Sequence, residues 1–307
     1  MPELVNKGNC RAMGINKVGT ASSTSPVLKA MARKILPARF LGTLKRSMDR
    51  ISKWQRVRHV ARFRRQMAAI PPGVNTTVPL LHYTVRTNSG LLVYDLYRDI
   101  FIEQIYYFEA QRPDPLILDL GSHIGISILY FKHLYPQARI IGFEPDPLIL
   151  PFLKENIAQN SLTAVQLVPA ALAVREMALT LYSDNESGSS LIEHLPKAAS
   201  RKQHEISGVR LRDYLTEPVD FMKMNIEGAE WEVLADSEDR LHQVREMVIE
   251  YHHLPDLPRT LHNILELLHR HHFEYMVSDF GLDSYGPPPP VRLHPRARYY
   301  RLIHAVQ

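Results

Sequence analysis

The sequence predicts an α/β fold, a mostly parallel sheet with helices on both faces, and three observations carry that expectation. Strand-like and helix-like stretches alternate from Val74 onward, and such alternation needs crossover connections between parallel neighbours. A glycine turn within "LILDLGSHIG", Leu116 to Gly125, joins one such strand to one such helix. Glu144 then stands at the tip of the next apolar run, about 20 residues past the turn.

The first element is an arm. Residues 1–27, rich in Gly, Asn, Ser and Thr without periodicity, read as disordered. From Leu41, residues Leu44, Met48, Ile51, Trp54, Val57, Val60, Phe63 and Met67 recur at steps of three or four, with Arg and Lys filling much of the rest. That is a basic amphipathic helix. "IPPG" at Ile70 to Gly73 stops it, because proline cannot donate into a helix and glycine frees the chain. Residues 1–72 are therefore read as a basic arm and 73–307 as the main domain.

Within that domain "LLHYTVRT" reads as a strand, and a helical pattern runs from about Tyr94 to Ala110. The strand Leu116–Leu120, a helix Gly125–Leu134, the strand Arg139–Phe143, a helix from about Leu148 to Gln159 and the strand Thr163–Val168 follow. Ala178–Tyr182 reads as hairpin-like, Val219–Met224 and Met247–Tyr251 as strands, and Arg259–His271 as a helix. Two last runs, Phe273–Val277 and Tyr299–Ala305, are expected to form an antiparallel hairpin at the sheet edge, across the "GPPPP" loop. Tyr182 to His204, polar and small in composition, is a candidate lid or a surface insertion.

Composition narrows the class. With 45% hydrophobic and 22% charged residues the chain reads as globular, and no apolar run reaches the roughly 18 residues of a membrane span. The first thirty residues lack the apolar core of a secretory signal, so a cytoplasmic location is expected. A single cysteine, Cys10, excludes a disulfide framework and a cysteine-built zinc site within one chain. The net charge of +5 hides a division: residues 1–72 hold 16 Lys and Arg against 2 Asp and Glu, the remainder 21 against 30. Three readings compete for the basic helix. It packs on the main domain or on a second subunit, it lies peripherally on an anionic membrane, or it attracts nucleic acid. The first is favoured and the last least, since a basic face alone attracts phosphate without sequence readout.

The glycine turn points to a cofactor. In an open parallel sheet, ligands settle at the carboxyl ends of the strands where strand order reverses. Gly121 and Gly125 let the backbone turn and approach a ligand with no Cβ in the way. Glu144 is placed to accept both hydroxyls of an adenosine ribose. A nicotinamide dinucleotide would call for G-x-G-x-x-G, but here one glycine is missing and Asp119 stands two residues before the first. That carboxylate would repel a pyrophosphate and attract the ammonium or sulfonium of S-adenosylmethionine.

At these residues the chain resembles the FkbM-type S-adenosylmethionine-dependent methyltransferases. "DLGSHIGISILYF", "GFEPDP" with "LKENIAQN", "KMNIEGAEWEVLAD" and "VIEYH" look like four successive signatures of that family, over about residues 80–255. The resemblance implies a class I methyltransferase, Rossmann-like fold. It also implies methyl transfer to an acceptor, generally a hydroxyl oxygen on a sugar, lipid-linked or natural-product substrate. The match puts Asp119, Gly121, Ser122 and Gly125 at the methionine end of the cofactor and Glu144 at the ribose. Pro145 and Asp146 border the adenosine, and Ala170 and Ala171 fall beside the adenine. Lys223, Glu227, Gly228 and Glu230 match the later block, but Asn225 stands where the usual form has Asp. An amide is no base at neutral pH, so the resemblance leaves two readings open: another group takes the proton, or the chain is an impaired cofactor-binding scaffold.

Methyl transfer depends on holding oxygen, methyl and sulfur in line, and a hydroxyl acceptor must lose its proton. Glu227, Glu250 and His252 are the candidate bases, the last two on one side of a strand end. Lys223, inside an apolar strand, needs a carboxylate partner such as Glu227 or Glu250 and is read as a positioning residue. His262, Glu266 and His269 share one helical face, but Leu261, Ile264, Leu265 and Leu268 already supply a core stripe. No metal is expected. Trp231 and Tyr94 are read as core. A nicotinamide-dependent oxidoreductase and an RNA methyltransferase led by the basic arm are the remaining alternatives.

Overall fold

The computed structural model describes residues 58–183, 202–254, 258–278 and 299–307. The chain divides into two compact units, 1–59 and 60–307, and the sheets with their helices belong to the second. Most of the basic arm with Cys10, nearly all of the candidate lid, and the "GPPPP" loop lie outside the described residues.

The second unit opens with α1, helical over residues 60–68. Met67 is buried, and Phe63 meets Tyr94 and Tyr97 at ring centroids of 6.5 and 5.0 Å. The apolar stripe seen in the sequence thus packs into the same cluster as Val93 and Tyr97 over this stretch. "LLHYTVRT" is not one strand. β1 (Thr76–Leu80) and β2 (Tyr83–Thr87) form a tight antiparallel hairpin, closed at Leu80 and Tyr83. Leu81 adopts φ +56 between them, a left-handed turn that the apolar pattern conceals. The helix expected over Tyr94–Ala110 is also revised. Ser89 caps α2 (Gly90–Leu96), its side chain accepting from the Leu92 N–H. A π-helical turn follows at Tyr97–Ile102, and left-handed Gln104 (φ +57) ends the helical path.

Among the described residues ten further strands divide between two sheets. The larger sheet holds β3 (Leu116–Leu120), β4 (Arg139–Phe143), β5 (Val165–Val168), β9 (Phe221–Met224), β10 (Glu246–His253), β11 (Glu274–Ser278) and β12 (Tyr299–Val306). The smaller holds β6 (Ala170–Leu172), β7 (Met177–Ser183) and β8 (Lys202–Val209). In the larger sheet the seven strands lie in the order β11-β12-β10-β9-β3-β4-β5. The pairs joining β10, β9, β3, β4 and β5 are parallel; β12 runs antiparallel to both its neighbours. The last two runs do pair antiparallel, as expected, but β12 inserts beside β10 and leaves only β11 at the edge. Helices α3 (Ile126–Leu134) and α4 (Leu150–Gln159) cover one face, and α5 (Glu230–Asp236) and α6 (Leu261–Arg270) the other. Both faces are therefore buried, as a mostly parallel sheet requires, in the Rossmann-like α/β arrangement that the sequence predicts. The chain changes faces between β3 and β9, a topological switch point.

The smaller sheet has the order β6-β8-β7. The hairpin-like stretch at Ala178–Tyr182 belongs to β7, which pairs antiparallel with β8, the next described strand. The period of two along the main strands positions the site. Leu118, Leu120, Met222, Met224, Ile249 and Tyr251 join the core on the α5–α6 face, while Ile117, Phe221 and Val248 join it on the α3–α4 face. On that second face the alternation continues into Asp119, Lys223, Asn225, Glu250 and His252 at the carboxyl ends of β3, β9 and β10.

Candidate active site

The turn after β3 is built by necessity from glycine. Gly121 has φ +89, and a Cβ there would lie 1.9 Å from the Asn225 carbonyl oxygen. Gly125, also at φ +89, would press its Cβ to 2.8 Å from Leu153 Cδ1. The Gly121 and Ser122 N–H groups donate to the Phe143 carbonyl at 3.1 and 2.8 Å, tying the turn to β4. Ser122 is buried and its hydroxyl donates back to the Asp119 carbonyl at 3.0 Å. His123 adopts φ +50 and turns its N–H onto Glu144 Oε2 at 2.8 Å.

Glu144 receives a second backbone donor, the Asp146 N–H, at 2.9 Å on Oε1. Burial pushes its carboxyl up to about 7, against those two N–H groups, which pull it down. Half-buried Pro145 stands next to it. Asp146 works inward: Oδ1 accepts from the Leu148 N–H at 2.8 Å and Oδ2 from the Ser183 hydroxyl at 2.5 Å. Ala170 and Ala171 pair with Ser207 and Gly208 of β8 and sit in apolar clusters.

Across the switch point, Asp119 lies in register with Lys223. The Lys223 ammonium is 3.4 Å from Asp119 Oδ1 and donates to the Gly121 carbonyl at 2.5 Å. Sequence reasoning expected Glu227 or Glu250 as the lysine's partner; the β3–β9 register supplies Asp119 instead. Asp119 Oδ2 accepts from Ser127 Oγ at 2.7 Å, while Oδ1 has no hydrogen-bond donor among the described residues. The aspartate is fully buried, so the Lys223 ion pair offsets its charge while Oδ1 keeps room for a further donor.

Glu250 is the centre of the second half. It is 7% exposed, with Tyr106 Oη donating to Oε1 and Asn225 Nδ2 donating to Oε2 at 2.8 Å. Burial raises its carboxyl above the usual range, opposed first by the Lys223 charge and then by the Tyr106 donor. Asn225 Oδ1 is a buried acceptor without a hydrogen bond among the described residues. His252 Nδ1 lies 2.8 Å from Glu230 Oε1, which also takes the Gly228 N–H at 3.0 Å. Burial alone would lower the His252 pKa, but Glu227, Glu230 and Glu250 outweigh it and push it up to about 9. At neutral pH this imidazole is a cation and has no lone pair with which to take a proton. Glu227, at φ +57, reaches 3.6 Å from His252 Nε2 and is 39% exposed at the rim.

The structure thus brings Asp119, Lys223, Asn225, Glu227, Glu250 and His252 together with the Gly121–Gly125 turn and Glu144 along one end of the sheet. It turns Asp146, Ala170 and Ala171 toward internal partners. Sequence reasoning missed Tyr106 and Ser127. Ser127 was legible in principle, two residues into the helix that the glycine turn opens. Tyr106 was not, because its partner lies 144 residues away. Among the described residues no three His, Cys, Asp or Glu side chains gather to hold a metal, and Glu266 pairs with Arg270. No helix there is long and apolar enough to cross a membrane.

Residues 119–275 match the methyltransferase FkbM domain. Methyltransferase sdnD of Sordaria araneosa is 31% identical over 189 residues, 50% of this chain and 73% of that protein. The 2-O-methyltransferase NoeI of Sinorhizobium fredii is 27% identical over 159 residues, 46% of this chain and 65% of its own. The 31-O-demethyl-FK506 methyltransferase FkbM of Streptomyces tacrolimicus is 26% identical over 214 residues, covering 58% and 80% respectively.

Proposed function

Since the chain belongs to the methyltransferase FkbM family, we propose that it is an S-adenosylmethionine-dependent O-methyltransferase in which Glu250 takes the proton of the acceptor hydroxyl. The acceptor class we favour is a sugar, lipid-linked or natural-product hydroxyl. Two of the relatives are named for O-methylation, NoeI and FkbM, and that naming supports the choice of oxygen.

The residues fit the cofactor. Asp119 Oδ1 is a buried carboxylate oxygen with no hydrogen bond among the described residues, beside the Lys223 ion pair, which leaves it able to take an ammonium group. Gly121 and Gly125 leave the turn open to close approach, and the outer lone pairs of Glu144 suit ribose hydroxyls. Lys223 balances the charge of Asp119 and fixes the turn through the Gly121 carbonyl. When bound, S-adenosylmethionine supplies an electrophilic methyl group on a sulfonium. The protein's part is to hold the acceptor oxygen in line with it, worth on the order of 7–11 kcal/mol, and to receive a proton.

The observation that carries the base assignment is the environment of Glu250. It is a buried carboxylate of raised basicity, with one fixed donor on each oxygen. Asn225 in place of an acid then has a use: its amide donates to Glu250, where a second carboxylate would repel it. His252, held as a cation between Glu227 and Glu230, offsets the negative charge nearby. The impaired-scaffold reading loses its main support, since the base need not be residue 225.

Radiolabelled methyl transfer from S-adenosylmethionine to glycan and lipid extracts tests this proposal. The parent chain is expected to label an acceptor, and Glu250→Gln to bind the cofactor with parental affinity while transferring about 10²–10⁴-fold more slowly. Transfer at the parental rate by Glu250→Gln would remove Glu250 from the role, and cofactor binding without any transfer by the parent would favour a scaffold.

A further inference from the structure

We infer that Tyr106 is a positioning residue of this site, its phenol fixing the Glu250 carboxylate and its ring seating the Lys223 ammonium. The inference rests on the reading of Glu250 as proton acceptor and extends it to a segment that lies before the glycine turn and outside residues 119–275.

Three independent features converge on this side chain. Its hydroxyl donates to Glu250 Oε1, leaving Asn225 to hold Oε2, so the carboxylate is gripped from both sides. Its ring centroid lies 5.6 Å from Lys223 Nζ, within the range of a cation–π contact. The backbone that delivers it is unusual: the π-helical turn Tyr97–Ile102 leads into left-handed Gln104. Single π turns recur at functional sites, and a non-glycine residue at positive φ persists only where its surroundings enforce it. Here the enforcement ends on Tyr106, which is buried against Phe131 at 6.4 Å between ring centroids.

The phenol acts as a donor alone. Burial first, then the charge of Glu250, raises its pKa well above the ordinary tyrosine value, so it stays protonated while Glu250 titrates. The charged groups facing Glu250 are Lys223 from β9, His252 from its own strand and Glu227 from the rim. Lys223 and His252 favour the carboxylate and Glu227 opposes it. Asp119 adds negative charge toward the tyrosine from β3, and Tyr300 of β12 stacks edge-on against His252 at 5.0 Å. Among the described residues Tyr106 is the neutral donor to Oε1, and removing its hydroxyl leaves those charges in place.

Tyr106→Phe keeps the ring, its packing and the lysine contact and deletes only the donor. The full chain is labelled with glutamate carrying ¹³C in the side-chain carboxyl, the Glu250 signal is assigned through Glu250→Gln, and its titration is followed by NMR. A hydrogen bond to a charged group corresponds to a shift of about one to two pH units, so the Glu250 midpoint is expected to rise by that amount in Tyr106→Phe. Replacing Tyr106 by 3-fluorotyrosine, a more acidic donor of nearly the same shape, is expected to lower it. Tyr135→Phe, which removes another part-buried hydroxyl bonded to the same segment at Phe108 and Ala110, should leave it in place. Affinity for S-adenosylhomocysteine should stay within about threefold throughout. An unmoved midpoint in Tyr106→Phe, or an equal movement in Tyr135→Phe, overturns the inference. The titration needs no acceptor, so this failure is distinct from the failure of Glu250→Gln to slow transfer.

Discussion

At the scale of single residues, the site divides into groups that bind and groups that handle charge. Glu144 belongs to the first. Its carboxyl sits near pH 7 in the free protein because burial disfavours the charge, and ribose hydroxyls are better met by the ionised form. S-adenosylmethionine affinity is therefore expected to weaken as pH falls from about 8 to about 6, by up to tenfold per pH unit below the midpoint. At about pH 8 Glu144→Ala is expected to lose more than about tenfold in affinity, measured by calorimetry, and the difference from the parent is expected to narrow as pH falls below about 7. How much of this was legible varies by residue. Asp119, the glycines and Glu144 announce themselves through local spacing. The partner of Lys223 did not, because a strand register across the switch point decides it. Nor did the state of His252, since a histidine at a strand end reads as a base until Glu230 is found beneath it.

The elements explain why the turn tolerates little change. Gly121 and Gly125 share the same left-handed φ, yet their surroundings differ. A methyl group at 125 meets the end of the Leu153 side chain, which can rotate away, so Gly125→Ala is expected to cost about 1–2 kcal/mol from backbone conformation. At 121 the obstacle is the Asn225 carbonyl at the end of β9, and moving it would displace Lys223 and Asn225 together. Gly121→Ala should cost more than about 3 kcal/mol, and urea denaturation of the two variants should show that order. Equal losses would mean that backbone strain alone governs the turn. The main strands and most helices were readable because hydrophobic period and turn residues agree there. The β1–β2 hairpin was not, since Leu81 lacks the side chain that marks a left-handed turn. The break after α2 was also hidden, because a π turn keeps an apolar pattern close to that of a continuing helix.

For the whole molecule, the site is a store of buried charge held by the fold. His252 titrates near 9 folded against an ordinary 6.5, so its contribution to stability is fully present below about pH 6.5 and lost as pH rises through about 9. Glu144, raised from 4.5 to about 7, contributes below about pH 4.5 and loses that contribution as pH rises through 7. Both contributions fall as pH rises, whereas burial lowers the pKa of His133, His253 and His304, whose contributions rise up to about pH 6.5. The loss from His252 is therefore expected between about pH 7 and about pH 9, and His252→Gln is expected to flatten that part of the slope in denaturant titrations. The parallel order, the switch point and the carboxyl-end location of the site stem from alternation that the sequence displays. The convergence of Tyr106, Asn225 and Glu250 arises only in the closed sheet. A crystal structure of the full chain with S-adenosylhomocysteine tests the cofactor and base assignments most directly. The amino group is expected on Asp119 Oδ1, the ribose hydroxyls on Glu144 and the vacated methyl position facing Glu250. A nucleoside bound elsewhere, or a methyl position remote from Glu250, would contradict them.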